Sequence, residues 1–148
     1  MKIRRVEPED SDAILAWRND NRTGNMSFTN KIISKDAHDE WFKESLKLSG
    51  RYLYIGLIGN QKIGLCRFDV DIEQQESKVS INLNPEFRGK GLASKLLYEG
   101  IKNFKKDWQI SIIAQIKKEN IPSIKLFERC GFKLMSNTEG NFTYRLSQ

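Results

Sequence analysis

The segment Asn84–Ala93, NPEFRGKGLA, restricts the fold of this chain more than any other stretch. Before it, Lys78 to Leu83 alternates. Val79, Ile81 and Leu83 fall on one face and Ser80 and Asn82 on the other, the period of a half-buried strand. Pro85 stops that strand. After it, Leu92, Leu96, Leu97, Ile101 and Phe104 recur at threes and fours and predict an amphipathic helix from about Gly91 to Phe104. The first amides of a helix have no intrahelical partner and, with the helix dipole, attract anions. Gly89 and Gly91 have no side chains, so phosphate oxygens can approach the backbone, and small Ala93 keeps the first turn open. The segment therefore reads either as a tight strand-to-helix turn or as a pyrophosphate cradle. It is not a Walker loop, because GK[ST] is missing. It is not the dinucleotide fingerprint, because the GxGxxG spacing and the acidic residue about 20 positions on are missing.

The flanking sequence supplies further elements. Lys2 to Val6 alternates as a first strand. Pro8, Glu9 and Asp10 start a helix with Ala13, Ile14 and Trp17 on its apolar face. Ser34 is placed to cap a second helix carrying Ala37, Trp41, Phe42 and Leu48, with His38 on its surface. Tyr52 to Ile58 and Ile63 to Val70 form a hairpin about Gly59-Asn60, two residues that tolerate positive φ. A polar loop, Asp71 to Ser77, leads to the strand before Pro85. Gln109 to Ile116 reads as a buried strand. Ser123 is expected to cap a helix with Ile124, Phe127 and Cys130, ended by Gly131. Phe132 to Met135 and Phe142 to Leu146 make a last hairpin around Asn137 to Asn141. The order β α α β β β α β α β β predicts an α/β fold with a mixed sheet of about seven strands and about four helices.

The length, 148 residues, suits one domain over residues 1–148. No apolar run reaches the ~18 residues of a bilayer span, and MKIRRVEPEDSD lacks the apolar core of a secretory signal. Cys66 and Cys130 stand apart from each other and from any histidine, which predicts no metal site, small core residues and a reducing cytoplasm. The net charge of +6 favours anionic partners. The basic residues are dispersed and no RRM-, KH- or zinc-finger-like pattern occurs, so neither nucleic acid nor membrane is an expected partner.

Arg88-Gly89-Lys90-Gly91-Leu92-Ala93 resembles the R/Q-x-x-G-x-G/A signature of the GNAT family of N-acetyltransferases. Downstream, Lys118 to Ile124 and Leu126 to Phe132 resemble that family's second cofactor segment, in order and at the expected separation. The resemblance implies the GNAT fold and acetyl-CoA as co-substrate. It implies pyrophosphate binding by amides around Arg88, Gly89, Lys90, Gly91, Leu92 and Ala93. Main-chain groups at Leu83 would meet the pantetheine and acetyl carbonyl, Asn120 and Ser123 would lie at the cofactor, and Phe127 would stand beside it. Lys102, Lys105, Lys117 and Lys118 could reach a 3′-phosphate or simply be solvated.

The implied reaction is direct attack of a primary amine on the thioester, with base assistance through water and an oxyanion stabilised by amides. Two positions depart from the family. Phe127 replaces a tyrosine that commonly protonates the leaving thiolate, and Lys78 replaces a frequent glutamate. Ser80 and Asn82 remain as catalytic candidates that could orient a water, or are simply polar residues of an open strand face. Trp17-Arg18-Asn19-Asp20 with Arg22, His38 and Trp41-Phe42 resembles a subgroup containing acetyltransferases of nucleotide-linked amino sugars in surface and flagellin glycan synthesis. The same pattern shades into enzymes acetylating ribosomal-protein N-termini. Arg18, Arg22 and His38 are the acceptor-binding candidates, Arg18 and Arg22 through a diphosphate or, alternatively, as helix-end or Asp20 partners. A nucleotide-linked amino sugar is the expected acceptor, the alternatives being a protein N-terminus or CoA binding without turnover. A monomer or homodimer is expected.

Overall fold

The computed structural model describes residues 1–20 and 32–147. The strands are β1 (Lys2–Arg5), β2 (Arg51–Ile58), β3 (Gln61–Asp71), β4 (Glu76–Leu83), β5 (Ser111–Lys117), β6 (Lys133–Thr138) and β7 (Asn141–Leu146). The α-helices among the described residues are α1 (Ser11–Arg18), α2 (Lys35–Lys47), α3 (Leu92–Phe104) and α4 (Ile121–Arg129). The strands form one mixed sheet in the order β1-β2-β3-β4-β5-β7-β6. Every neighbouring pair is antiparallel except β4 and β5.

Alternation along β2 and β3 sorts the apolar residues into two cores. Leu53, Ile55 and Leu65 pack with Ile14 and Trp17 of α1 and Phe42 of α2. Tyr54, Cys66 and Phe68 pack with Leu96, Leu97, Ile101 and Phe104 of α3. Phe68 and Phe104 stack with centroids 4.4 Å apart. Helix α3 seats deeply because it meets the sheet at glycines. A Cβ on Gly100 would lie 2.6 Å from Cys66 Sγ, and one on Gly64 would lie 2.7 Å from the Asn82 carbonyl. Cys66 is thus a core residue, and burial pushes its thiol pKa up.

Several boundaries differ from the sequence reading. The expected loop from Asp71 to Ser77 is a tighter turn, since β3 runs through Asp71 and β4 begins at Glu76. Polar side chains do not interrupt a ladder made by backbone groups, and Asp71 caps the turn by accepting from the Gln74 amide. In the β2–β3 turn only Gly59 takes positive φ. The last hairpin is also longer than expected and turns at Glu139 and Gly140, both at positive φ. Ser34 caps α2 as expected, but α2 ends at Lys47 and Leu48 is exposed. Helix α4 is capped by Asn120 rather than Ser123. The Asn120 side chain accepts from the Ser123 amide, and Pro122 sits in the first turn, where its missing N–H costs nothing. Gly131 closes α4 at φ 95°. Phe132 N–H donates to Phe127 O and Gly131 N–H to Glu128 O, a Schellman closure that sets Phe132 edge-on to Phe127.

Helix α1 is bolted to the sheet through one carboxylate. Asp10 is buried and accepts from both Arg4 Nη atoms at 2.7 and 3.0 Å, from Lys62 Nζ at 2.8 Å and from the Glu7 amide at 2.8 Å. Burial alone would raise its pKa, but these donors outweigh burial and hold it well below the usual carboxylate range. A depressed carboxyl contributes stability that is present above the unfolded-state pKa and is lost as pH falls through the folded one. Asp10→Ala is therefore expected to lower unfolding free energy at pH 7 by on the order of 3 kcal/mol, the cost of breaking a buried pair. Urea titrations across pH should show a constant gap to the parent above about pH 5 that narrows below about pH 4.

Candidate active site

The parallel pairing of β4 with β5 lasts for three residues only, Glu76 with Ser111, Ser77 with Ile112 and Lys78 with Ile113. Beyond Lys78 the strands diverge. Val79 to Leu83 and Ala114 to Lys117 become walls of a cavity of about 510 Å³. β4 stays bound to β3 along its whole length and β5 to β7, so the opening lies between two firmly paired halves of the sheet.

The exit of β4 is locked. Asn84 donates from Nδ2 to the Lys62 carbonyl at 2.9 Å, accepts at Oδ1 from the Glu86 amide and donates its own amide to Ile63 O at 2.7 Å. The chain then turns through Gly89 at φ 74° and Gly91 at φ 72° into α3. Both conformations favour glycine, and a Cβ built on either would meet nothing within 4 Å, so the space before the turn is open. Ser34 and Asn120 cap α2 and α4, whereas no side chain caps α3. Its first amides and dipole are directed to the cavity, where Leu92, Ala93 and Ser94 form the wall. Asn120, Pro122 and Ser123 bring the N-terminus of α4 to the same cavity. Arg88 is tied to Asp20 at 2.6 Å, joining this turn to the end of α1.

The structure brings most of the sequence candidates together. Arg18, Ser80, Asn82, Leu83, Arg88, Gly89, Gly91, Leu92, Ala93, Asn120, Ser123 and Phe127 all line the cavity. Lys90 does not; its ammonium lies 5.3 Å from the Phe87 ring centroid. Arg22 lies outside the described residues. His38 is not on the helix surface but fully buried behind Arg18. Helical spacing had placed it beside polar neighbours, yet α2 packs that side onto α1. Arg18 Nη1 donates to His38 Nδ1 at 3.0 Å, so the imidazole carries its proton on Nε2, 3.0 Å from Ser11 O and 3.1 Å from Ser11 Oγ. Burial first, and then the Arg18 charge, lower the His38 pKa and favour the neutral ring.

Sequence reasoning missed Arg67 and Gln115, and quoted Trp41 without placing it in the site. Arg67 is the cross-strand partner of Ser80, and Leu65 that of Asn82, so all four share the face that meets α1 and α2. Alternation from Ser80 would have found Arg67 once the β3–β4 register was known. No Asp, Glu, His or Tyr lines the cavity among the described residues. Phe127 is buried there and offers no proton. Burial raises the pKa of Cys130 as it does that of Cys66, so neither supplies a ready thiolate. The described residues hold no cluster of His, Cys, Asp and Glu fit for a metal ion and no helix long and apolar enough to cross a membrane.

A sheet split beside an uncapped, glycine-led helix makes a cleft suited to a chain-like anionic ligand, and comparison with known proteins gives the family. Residues 1–133 match the family model of the acetyltransferase (GNAT) domain, and the chain belongs to that family. It is 28% identical over 114 residues to an N-alpha-acetyltransferase of Saccharolobus solfataricus, covering 69% of this chain and 68% of the relative. Campylobacter jejuni N-acetyltransferase PseH, solved with acetyl coenzyme A, superposes with TM-score 0.77 at 19% identity over 99% of this chain and 98% of that one. Vibrio cholerae spermidine N-acetyltransferase, solved with CoA and spermine, gives TM-score 0.83 at 18% identity over 97% and 92%. The protein is an acetyl-CoA-dependent N-acetyltransferase with the mixed seven-stranded sheet of its family.

Replacing Gly89 by Glu puts a negative charge in the turn and a side chain at positive φ. We expect at least about a tenfold loss of acetyl-CoA affinity, about 1.4 kcal/mol, by calorimetry. Backbone strain should cost about 1–2 kcal/mol of stability, leaving the circular dichroism spectrum unchanged.

Proposed function

We propose that this acetyltransferase transfers acetyl to the primary amine of a nucleotide-linked 4-amino sugar, by direct attack on the thioester. The amides of residues 89–93 hold the pyrophosphate, Leu83 offers main-chain groups to the pantetheine and acetyl oxygen, and Asn120 and Ser123 flank the cofactor. The acceptor enters from the α1–α2 side, where Arg18 stands in the wall. The observation that carries this choice is the charge of that wall: arginines line it and, among the described residues, no carboxylate does. A polyamine would be repelled there, and a phosphorylated acceptor attracted.

The amine must lose a proton before attack. No cavity-lining side chain among the described residues is a strong base, so Ser80 and Asn82 act by orienting a water that carries the proton outward. The leaving thiolate departs at the wall formed by Phe127, without a tyrosine, and takes its proton from solvent. Transfer to a protein N-terminus remains the second reading, favoured by the Saccharolobus N-alpha-acetyltransferase relative.

Free CoA release should be followed with a UDP-linked 4-amino sugar, an alanyl peptide and spermidine side by side. We expect the sugar nucleotide to give the highest kcat/KM, by at least about tenfold. Turnover of the peptide alone would transfer the assignment to protein N-termini.

A further inference from the structure

Three guanidinium groups surround one indole on the acceptor side of the cavity. The Cζ atoms of Arg18, Arg67 and Arg51 lie 4.2, 5.3 and 5.8 Å from the Trp41 ring centroid. One carboxylate serves two of them. Asp69 takes Arg51 Nε at 2.6 Å on Oδ1 and Arg67 Nε at 2.8 Å on Oδ2. Arg18 bonds to no carboxylate among the described residues; its Nη1 is held by the neutral His38 ring. The cross-strand partner of Asp69 is Lys78, another cation. Residues 21–31, NRTGNMSFTNK, contain no Asp or Glu, so that segment brings no compensating acid.

Packing like charges around one ring is unfavourable unless something anionic completes the set. Desolvation registers on the arginines themselves. Burial lowers the pKa of both Arg18 and Arg67, and Arg67 adds to the effect on Arg18, while arginine remains charged at neutral pH. Both also line the cavity, whereas Arg51 sits behind them and is tied to Ser45 as well as Asp69.

We propose that Arg18 and Arg67, held on the Trp41 face, form a phosphate-binding subsite that fixes the acceptor, and that Arg67 is a specificity-determining residue. The inference rests on the reading that the glycine turn at the other end takes the cofactor. A guanidinium presents several donors in a fixed fork, matched to phosphate oxygens. Arg67 keeps its Nη groups for the ligand because Nε is the atom that meets Asp69. Arg18 is aimed by His38, which donates in turn to Ser11, so the imidazole is a positioning residue rather than an acceptor ligand. The two arginines would take a diphosphate ester and leave the sugar amine free to reach the β4–β5 opening, one strand away at Ser80.

The test is a titration of the CoA-saturated protein with UDP and with inorganic pyrophosphate, read by tryptophan fluorescence and calorimetry. CoA saturation blocks the glycine turn. The parent protein should bind both anions saturably, with affinity falling as salt rises. Arg67→Gln should weaken both at least tenfold, and Arg67→Lys should weaken them less, with CoA affinity within error of the parent and an unchanged circular dichroism spectrum. Where Arg67→Gln proves unstable, Arg18→Gln provides the same comparison. Absence of anion binding to the parent, or equal affinity in Arg67→Gln and parent, would overturn the subsite. An acidic peptide that competes for the site where UDP does not would also overturn it. Because these readouts need no turnover, they stand apart from the acetyl-transfer assay. A protein that binds no CoA sinks the cofactor reading, whereas one that binds CoA and turns over spermidine but ignores UDP sinks the subsite and the sugar-nucleotide acceptor together and leaves the cofactor reading standing.

Discussion

The structure depends on an interaction that stops. β4 and β5 exchange parallel hydrogen bonds over Glu76 to Lys78 and then part. Two strands that separate inside a sheet leave backbone groups unsatisfied unless something enters between them. Here the parting is held open from both sides, since β4 is paired fully with β3 and β5 with β7. Helix α3 grows from the end of one diverging strand and α4 follows the end of the other. The split therefore collects two helix N-termini at one cavity. A cofactor with a polar, chain-like arm and a phosphorylated head would suit that arrangement: the arm would replace a missing strand partner and the head would meet the positive helix ends.

Charge is distributed to match. At the glycine turn the uncapped amides of α3 add positive potential to that of Arg88 in the cavity wall. On the side of α1 and α2 it comes from arginines, whose burial is offset only in part by an indole face, one carboxylate shared by Arg51 and Arg67, and a neutral imidazole at Arg18. The link between the ends is the Arg88–Asp20 pair, which ties the glycine turn to the end of the helix carrying Arg18. Asp10, at the other end of that helix, anchors it to β1 and β3. The helix that carries Arg18 is thus held by two carboxylates, Asp10 and Asp20, one at each end of α1.

Much of this was legible in local pattern. The amphipathic spacing of α3, the alternation of β4 and the glycines before Leu92 each describe backbone conformation, which side-chain period reports directly. The turns were less legible. Polar residues at 71–77 and 137–141 suggested loops, but ladders are made by backbone groups and took in Asp71, Glu76 and Ser77 of the first and Asn137, Thr138 and Asn141 of the second. Ser123 has the chemistry of a cap, as does Asn120; the choice went to Asn120 because Pro122 can occupy only the first turn. His38 was misread because a single helix does not reveal which of its polar residues a neighbouring helix will cover.

By itself, then, the amino-acid order determined the elements, their succession and the glycine-led turn at residues 88–93. Those features arise from contacts a few residues apart, where φ/ψ preference and hydrophobic period act. Tertiary structure alone decided that Arg67 stands across from Ser80, that Arg18 and Arg67 share Trp41, and that His38 supports an arginine instead of facing a ligand. Those juxtapositions depend on strand register and helix docking between segments distant in the chain, and the surrounding cations of a basic protein look alike until packing selects a few of them for one wall.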